Sequence, residues 1–462
     1  MNAPVLIFGA TAVLSGVSLI LRRRRWHAFM VAAAGSLVVG MFALYAPIDS
    51  PQTVLGLPIK LESAWQILGR AIILTERNRA PVAFLYLTGA LFFACGWVAR
   101  PGRSFAPVGL LTLGLLAGSL TIEPFLYAAI FLELAAMASI LVLNPPGSRG
   151  QPGALQLLVL YTLAMMGILF TGWLLENVGV TSVTPELARR VMTLLALGFS
   201  ILMFVPPFQF WLGSAAARTN PYSLSFVALI LQSSGLFFLL RFLDSFEWLR
   251  TEPSVFGGAS VLGLLMVGLG AIACVAQADY SRMSAYALIA DFGVTLLAVG
   301  SNQAIAIEIV LALASVRAVS LAVWGLGTAV MRRIAGSQDL QGAGRVVPVA
   351  GAASLIGVVS LAGFPLSAGF PARWALLQGS LGFGGAGALV ILVAMLSITL
   401  AAAAWANRLF SPGTIAIERG VTRSDRAILL AAAGISLVLG IVPQLALPWV
   451  RPAVEGFSNL QP

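Results

Sequence analysis

Five ionisable side chains stand inside apolar runs long enough to cross a bilayer: Glu133, Asp291, Glu308, Arg317 and Arg373. At bilayer depth such a group costs roughly 2.5–3.5 kcal/mol on insertion scales, so it persists where it is paired or functional. Three acids and two bases in one apolar interior point to a chain of ion pairs across the middle of the molecule. Such a chain can conduct protons or pass an electrostatic signal between helices. The plainer alternative is that each pair only sets helix register. Helix breakers accompany these charges: Pro206 and Pro207 interrupt one apolar run, and Gly363 and Pro365 interrupt another. Glu133 and Asp291 lie 158 positions apart, as do Pro207 and Pro365. Matching breaks and matching acids at one offset predict an internal repeat, and broken helices in repeated membrane units commonly mark an ion path.

Other chemistries lack their residues. His27 is the single histidine, and the two cysteines, Cys95 and Cys274, both sit in apolar runs. That excludes haem held by paired histidines, histidine-type zinc sites and a disulfide framework. We expect no cofactor, no metal and no catalytic centre held by this chain.

The elements that must position the charges follow from composition. Of 462 residues, 59% are hydrophobic and 10% charged, and the mean hydropathy is +0.96. A soluble chain averages roughly 25% charge; this one is predicted to be an all-α polytopic membrane protein. At about 20 apolar residues per span, the runs number about fourteen. The first is expected to be a retained helix, since its basic cluster Arg22–Arg25 follows the apolar stretch and no cleavage site appears. Arginine makes up the basic set except for Lys60. Placing the loop that holds Arg22–Arg25 inside puts most of the 27 basic residues, Arg149 and Arg419 among them, on the same side. Both termini then face outward, and the net charge of +10 reads as topology, not nucleic-acid binding. The expected organisation is N-terminal helices and an outer loop over 1–104, a five-helix repeat over 105–242, an inverted second copy over 255–410, and a cytoplasmic loop with a last helix over 411–462.

Smaller features have plain readings. Trp26, Trp65, Trp211, Trp248 and Trp449 are expected as interfacial anchors. Segment 61–74 is expected as an amphipathic surface helix or a loop. The Gly-rich stretch 379–387 is a turn, with no Lys-Ser/Thr after it to make a phosphate cradle. Arg22–Arg25 is a topology signal that anionic lipid is able to bind.

Six stretches, in order, carry a resemblance. FLYAAIFLELAAMASILVL (125–143) places Glu133 within a helix, and GFSILMFVPPFQFWL (198–212) holds the Pro pair. NPYSLSFVALILQSSGLFFLLR (220–241), AQADYSRMSAYALIADFG (276–293), GSQDLQGAGRVVP (336–348) and SLAGFPLSAGFPARW (360–374) follow. Over roughly residues 80–410 the chain resembles the antiporter-like membrane subunits of respiratory complex I, a family shared with Mrp-type cation/proton antiporters and membrane-bound hydrogenases. The resemblance implies that Glu133 is the essential glutamate of the fifth helix. It also exposes departures. The family's buried lysine of the seventh helix corresponds to Leu202, its eighth-helix His or Lys to Val227, its eleventh-helix His and Lys to Ser315 and Val319, and its twelfth-helix Lys or Glu to Arg373.

Those departures are chemically severe. Burial and neighbours move a lysine's pKa towards neutrality, whereas arginine stays protonated and Leu and Val carry no proton. The resemblance therefore implies a membrane-arm subunit of an NADH (or other donor):quinone oxidoreductase in a cell inner membrane. In it the chain acts through a reduced or rewired relay, or as a degenerate structural copy. Quinone and redox centres are expected in partner subunits, and the expected partners are other membrane subunits and lipids. The alternative is a subunit of an Mrp-type antiporter or an ion-coupled uptake complex.

Overall fold

The computed structural model describes residues 2–49, 51–54, 57–67, 69–144, 150–176, 185–336, 339–378, 384–412 and 421–460. Arg149, Arg419 and residues 379–383 of the Gly-rich turn lie outside these, as do residues 413–420 of the expected cytoplasmic loop. Helices dominate. The first half runs α1 (Ala3–Ile20), α2 (Arg25–Tyr45), α3 (Glu76–Ala99), α4 (Phe105–Thr121), α5 (Ala128–Leu143), α6 (Pro152–Glu176), α7 (Pro185–Leu202), α8 (Phe210–Ala216) and α9 (Pro221–Ser245). After the short α10 (Glu247–Arg250) come α11 (Pro253–Val275), α12 (Tyr280–Gly300) and the long α13 (Ala304–Ala335). The chain ends in α14 (Ala343–Val346), α15 (Pro348–Ala362), α16 (Phe370–Gln378), α17 (Gly384–Leu409), α18 (Arg423–Ile441) and α19 (Leu447–Gly456). Among the described residues, eleven helices are long and apolar enough to cross a membrane, and α4 and α15 are shorter apolar helices. The chain is an integral membrane protein.

Exposure sorts these helices into a centre and a rim. The apolar window of α9 is 94% buried and that of α12 is 89%, against 22% for α1 and 33% for α11 and α17. α13 packs on α9, α12 and α15, so the centre is the α9–α12–α13 group. Small residues permit the closest approaches, as in membrane helices generally. A Cβ at Gly357 on α15 would lie 2.6 Å from the Trp324 backbone nitrogen on α13, and one at Gly327 lies 2.6 Å from the Ala350 carbonyl.

Both predicted breaks are real interruptions. α7 stops at Leu202 and helix resumes at Phe210; α15 stops at Ala362 and resumes at Phe370. Each gap holds a non-glycine residue in the left-handed region, Phe204 (φ +61°) and Leu366 (φ +69°).

Two expectations fail here. Segment 61–74 is neither helix nor plain loop: strand β3 (Ala64–Ile67) pairs antiparallel with β4 (Arg70–Ile73), and β4 pairs with β5 (Ile122–Glu123). The chain reverses beside Gly69 at φ +72°, as short hairpin turns require. The strands β1 (Pro51–Val54) and β2 (Leu57–Lys60) form a second hairpin. Trp211, expected at the interface, is instead fully buried and meets the Phe204 ring edge-on at 4.9 Å. The fold at the first break draws the indole inward to fill the gap that the missing helical turn leaves. Trp26, by contrast, is 53% exposed as an anchor should be. The side chain of Trp449 is outside the described set.

Candidate functional site

The second break is closed by charge. Asp291 lies mid-way along α12, and both of its carboxylate oxygens are taken: Arg317 Nε of α13 donates to Oδ2 and Arg373 Nη2 of α16 donates to Oδ1. All three side chains are buried, at 0% exposure for Arg317, 3% for Asp291 and 2% for Arg373. Two guanidiniums against one carboxylate leave the cluster with a formal charge of +1.

The two arginines are held differently. Arg373 also donates from Nη2 to the Leu361 carbonyl at 2.7 Å and from Nη1 to the Gly369 carbonyl at 2.9 Å. These carbonyls flank the gap between α15 and α16, so Arg373 satisfies backbone acceptors at the break, as buried membrane backbone demands. Glycine makes room for it: Gly363 has φ +77°, and a Cβ there would strike Arg373 Cδ. Arg317 has looser ties. Its Nη2 donates to Thr295 Oγ1 at 2.5 Å, its guanidinium sits 4.7 Å from the Phe292 ring centroid, and its buried Nη1 has no hydrogen-bond partner among the described residues.

A run of hydroxyls leads away from this triad along the α13–α15 contact. Ser320 Oγ, one turn from Arg317, donates to Ser360 Oγ at 2.7 Å. Further along, Ser354 Oγ lies 2.8 Å from both Tyr280 Oη and Thr328 Oγ1. None of these was singled out from sequence, although the spacing of Gly351, Ser354, Gly357 and Ser360 at every third residue of α15 marks one small, polar helix face.

Of the five predicted relay residues, the structure brings together Asp291, Arg317 and Arg373 and leaves two apart. Glu133, half-buried on α5, accepts a 2.7 Å hydrogen bond from Thr162 of α6, and its Oε2 is buried without a partner among the described residues. Thr162 and the neighbouring Leu134 and Met137 are exposed, so this pair faces the edge of the chain, not its centre. Glu308 is exposed and stands nine residues before Arg317 on α13, about 13 Å along the helix axis. The expected continuous row of five charges is therefore not formed; helical rise and facing keep Glu133 and Glu308 out of reach of the triad. Glu308 borders a cavity of about 410 Å³ between α13, α16 and α3, and Ser315 and Val319 line its wall.

The first break contrasts with the second. Around Pro206 and Pro207, Leu202 is fully buried and packs over Gly235, while Val227 is fully buried on α9. The Met203 carbonyl is answered by a neutral amide, Gln232 Nε2 at 3.0 Å. No ion pair forms at this break among the described residues.

With this geometry in place, the comparisons are direct. Residues 123–400 match the family described as NADH:quinone oxidoreductase/Mrp antiporter, TM. NADH-quinone oxidoreductase subunit 13 of Thermus thermophilus is 30% identical over 237 residues, 48% of this chain and 50% of that protein. NADH-quinone oxidoreductase subunit N of Desulforudis audaxviator is 27% identical over 245 residues, 49% of this chain and 48% of that protein. The chain spans about half the length of these curated relatives in the matched regions. Among solved structures, a chain of the Mrp complex from Dietzia sp. DQ12-45-1b superposes with a TM-score of 0.79 at 17% identity, covering 100% of both chains. A chain of the archaeal membrane-bound sulfane sulfur reductase gives 0.80 at 15% identity, covering 99% and 98%. Respiratory complex I from Thermus thermophilus with bound NADH gives 0.76 at 19% identity, covering 99% and 100%. These three likenesses establish a common fold.

Proposed function

This chain belongs to the NADH:quinone oxidoreductase/Mrp antiporter family of membrane subunits, and on that premise we propose that it is an antiporter-like membrane-arm subunit of a complex-I-like assembly. That assembly oxidises NADH or another donor, reduces quinone and moves protons, with redox centres and quinone in partner subunits. In this reading the chain comprises two inverted five-helix units, over 105–242 and 255–410, and its membrane is a bacterial inner membrane with both termini outside. The 158-residue offset shared by the acids and the breaks supports the repeat.

One observation carries the narrower reading: the Asp291 triad at the second break set against an uncharged first break. A path through the first unit has no protonatable side chain at Leu202 or Val227. The chain's own contribution is then a shortened one, centred on Asp291. The Asp291 carboxylate has both of its oxygens occupied by guanidinium donors. It accepts a proton only when one arginine swings away. Arg373 is tied to two backbone carbonyls, so Arg317 is the movable arm. An arriving charge that repels Arg317 frees Asp291 for a proton, and its return expels that proton. The triad acts as a charge-operated switch in place of a lysine relay. Glu133, at the chain's edge, is positioned to respond to a neighbouring subunit.

The test uses the purified complex in vesicles, with protons moved per quinone reduced as the readout. Arg317→Gln leaves Asp291 and Arg373 as a neutral pair, so assembly and donor oxidation are expected to persist while the proton ratio falls. An unchanged ratio would leave the chain a scaffold. Co-purification separates the assemblies: iron–sulfur and flavin subunits are expected, whereas antiporter-like chains alone would favour the Mrp-type alternative, which the match in fold to the Dietzia complex also fits.

A further inference from the structure

Five arginines from four separate segments converge on one cavity of about 470 Å³: Arg25 at the start of α2, Arg100 just after α3, Arg218 before α9, and Arg332 and Arg333 near the end of α13. Among the described residues no acidic side chain lines it. The sequence reading singled out the run Arg22–Arg25, yet only Arg25 of that run reaches the cavity. We propose that this cavity is a binding site for the phosphate of an anionic lipid headgroup, a phosphodiester such as that of phosphatidylglycerol or cardiolipin.

The arginines are held ready for an anion. Arg332 is fixed by donating to the Thr219 carbonyl at 3.1 Å and Ser281 Oγ at 2.7 Å, and its buried Nε has no partner among the described residues. Arg333 is fixed by the Val98 carbonyl and by Asp425 Oδ2, both at 2.8 Å. Arg25 and Arg218 are exposed and form no ion pair among the described residues. Asn220 and Pro221, which open the 25-residue helix α9, also line the cavity, so the positive end of that helix dipole adds to the field. Guanidinium forks match phosphate oxygens two at a time.

The membrane supplies the source. Beside Arg25 stands Trp26, 53% exposed and edge-on to His27 with ring centroids 5.2 Å apart, the signature of an anchor at headgroup depth. Arg25 thus brings the cavity next to an interfacial anchor, and basic pockets between membrane helices are suited to lipid headgroups.

The experiment uses the full chain purified in a zwitterionic detergent, with any subunits that travel with it. Cardiolipin, phosphatidylglycerol or phosphatidylcholine is added, and retained lipid is counted by native mass spectrometry alongside the melting temperature. The anionic lipids are expected to be retained and to raise the melting temperature, and phosphatidylcholine not. The double variant Arg25→Gln/Arg218→Gln is expected to weaken retention about thirtyfold, the loss of two cations acting on a surface phosphate. Arg25→Lys/Arg218→Lys keeps the charge and should recover most of the binding, which separates loss of the site from loss of the fold. Equal weakening by Arg22→Gln/Arg23→Gln would reduce the effect to diffuse surface charge and overturn the proposal. So would equal retention of phosphatidylcholine, or stabilisation by pyrophosphate in lipid-free detergent that matches cardiolipin.

Discussion

The two helix breaks solve one problem in two ways. Each frees backbone carbonyls in the buried interior, and each answers them from within the protein. At the first break a neutral amide does so, Gln232 to the Met203 carbonyl, with Phe204 and Trp211 filling the gap. At the second a charged group does so, Arg373 to Leu361 and Gly369, and its charge is answered by Asp291. The amide stitch is sufficient for the fold. The charged stitch needs a counter-ion, and the second arginine, Arg317, exceeds what neutrality requires. The proposed switch sits where charge is in surplus, and the first break shows what the same fold looks like when that surplus is gone.

Several substitutions test this contrast, each read by thermal unfolding of the purified chain in detergent. The largest effect is expected from Asp291→Ala. It strands two buried guanidiniums and should cost about 3–5 kcal/mol, as removing one partner of a buried pair does. Leu202→Lys should cost about 2.5–3.5 kcal/mol, because it places an unpaired cation at the first break; a smaller loss would mean that Glu133 can reach it and that the two breaks are more alike. Gln232→Leu leaves the Met203 carbonyl unanswered and should cost about 1–3 kcal/mol. Gly363→Ala meets a left-handed backbone and Arg373 Cδ, and should cost about 1–2 kcal/mol before any shift of the arginine. Glu133→Gln keeps the hydrogen bond from Thr162 and should change stability by less than about 1 kcal/mol. In the vesicle assay it should lower the proton ratio less than Arg317→Gln does, and an equal drop would place the edge and the centre on one path.

The spans, the breaks and the charged residues were legible in the sequence because each has a one-dimensional signature. Apolar length marks a span, Pro206–Pro207 and Gly363–Pro365 mark a stop, and an isolated ion in an apolar run stands out by its cost. Contacts between such residues were less legible. Five charges read as one row, but only three meet, since Glu133 faces the edge beside Thr162 and Glu308 sits more than two turns from Arg317. The hairpin at 64–73 was missed because its alternation is short and lies among charged and polar residues, where amphipathic helix and strand look alike. Trp211 was misplaced because nearness to a helix end says nothing about which way the ring turns.

Residue order alone is enough to put this chain in a bilayer and to say where its helices fail, because insertion and backbone hydrogen bonding are settled locally, residue by residue. Which charges neutralise one another, and which arginines gather into a single basic cavity, depends on how the helices pack. Coulomb attraction depends on separation through space, and residues 291, 317 and 373, like 25, 100, 218, 332 and 333, become neighbours only once the helices pack.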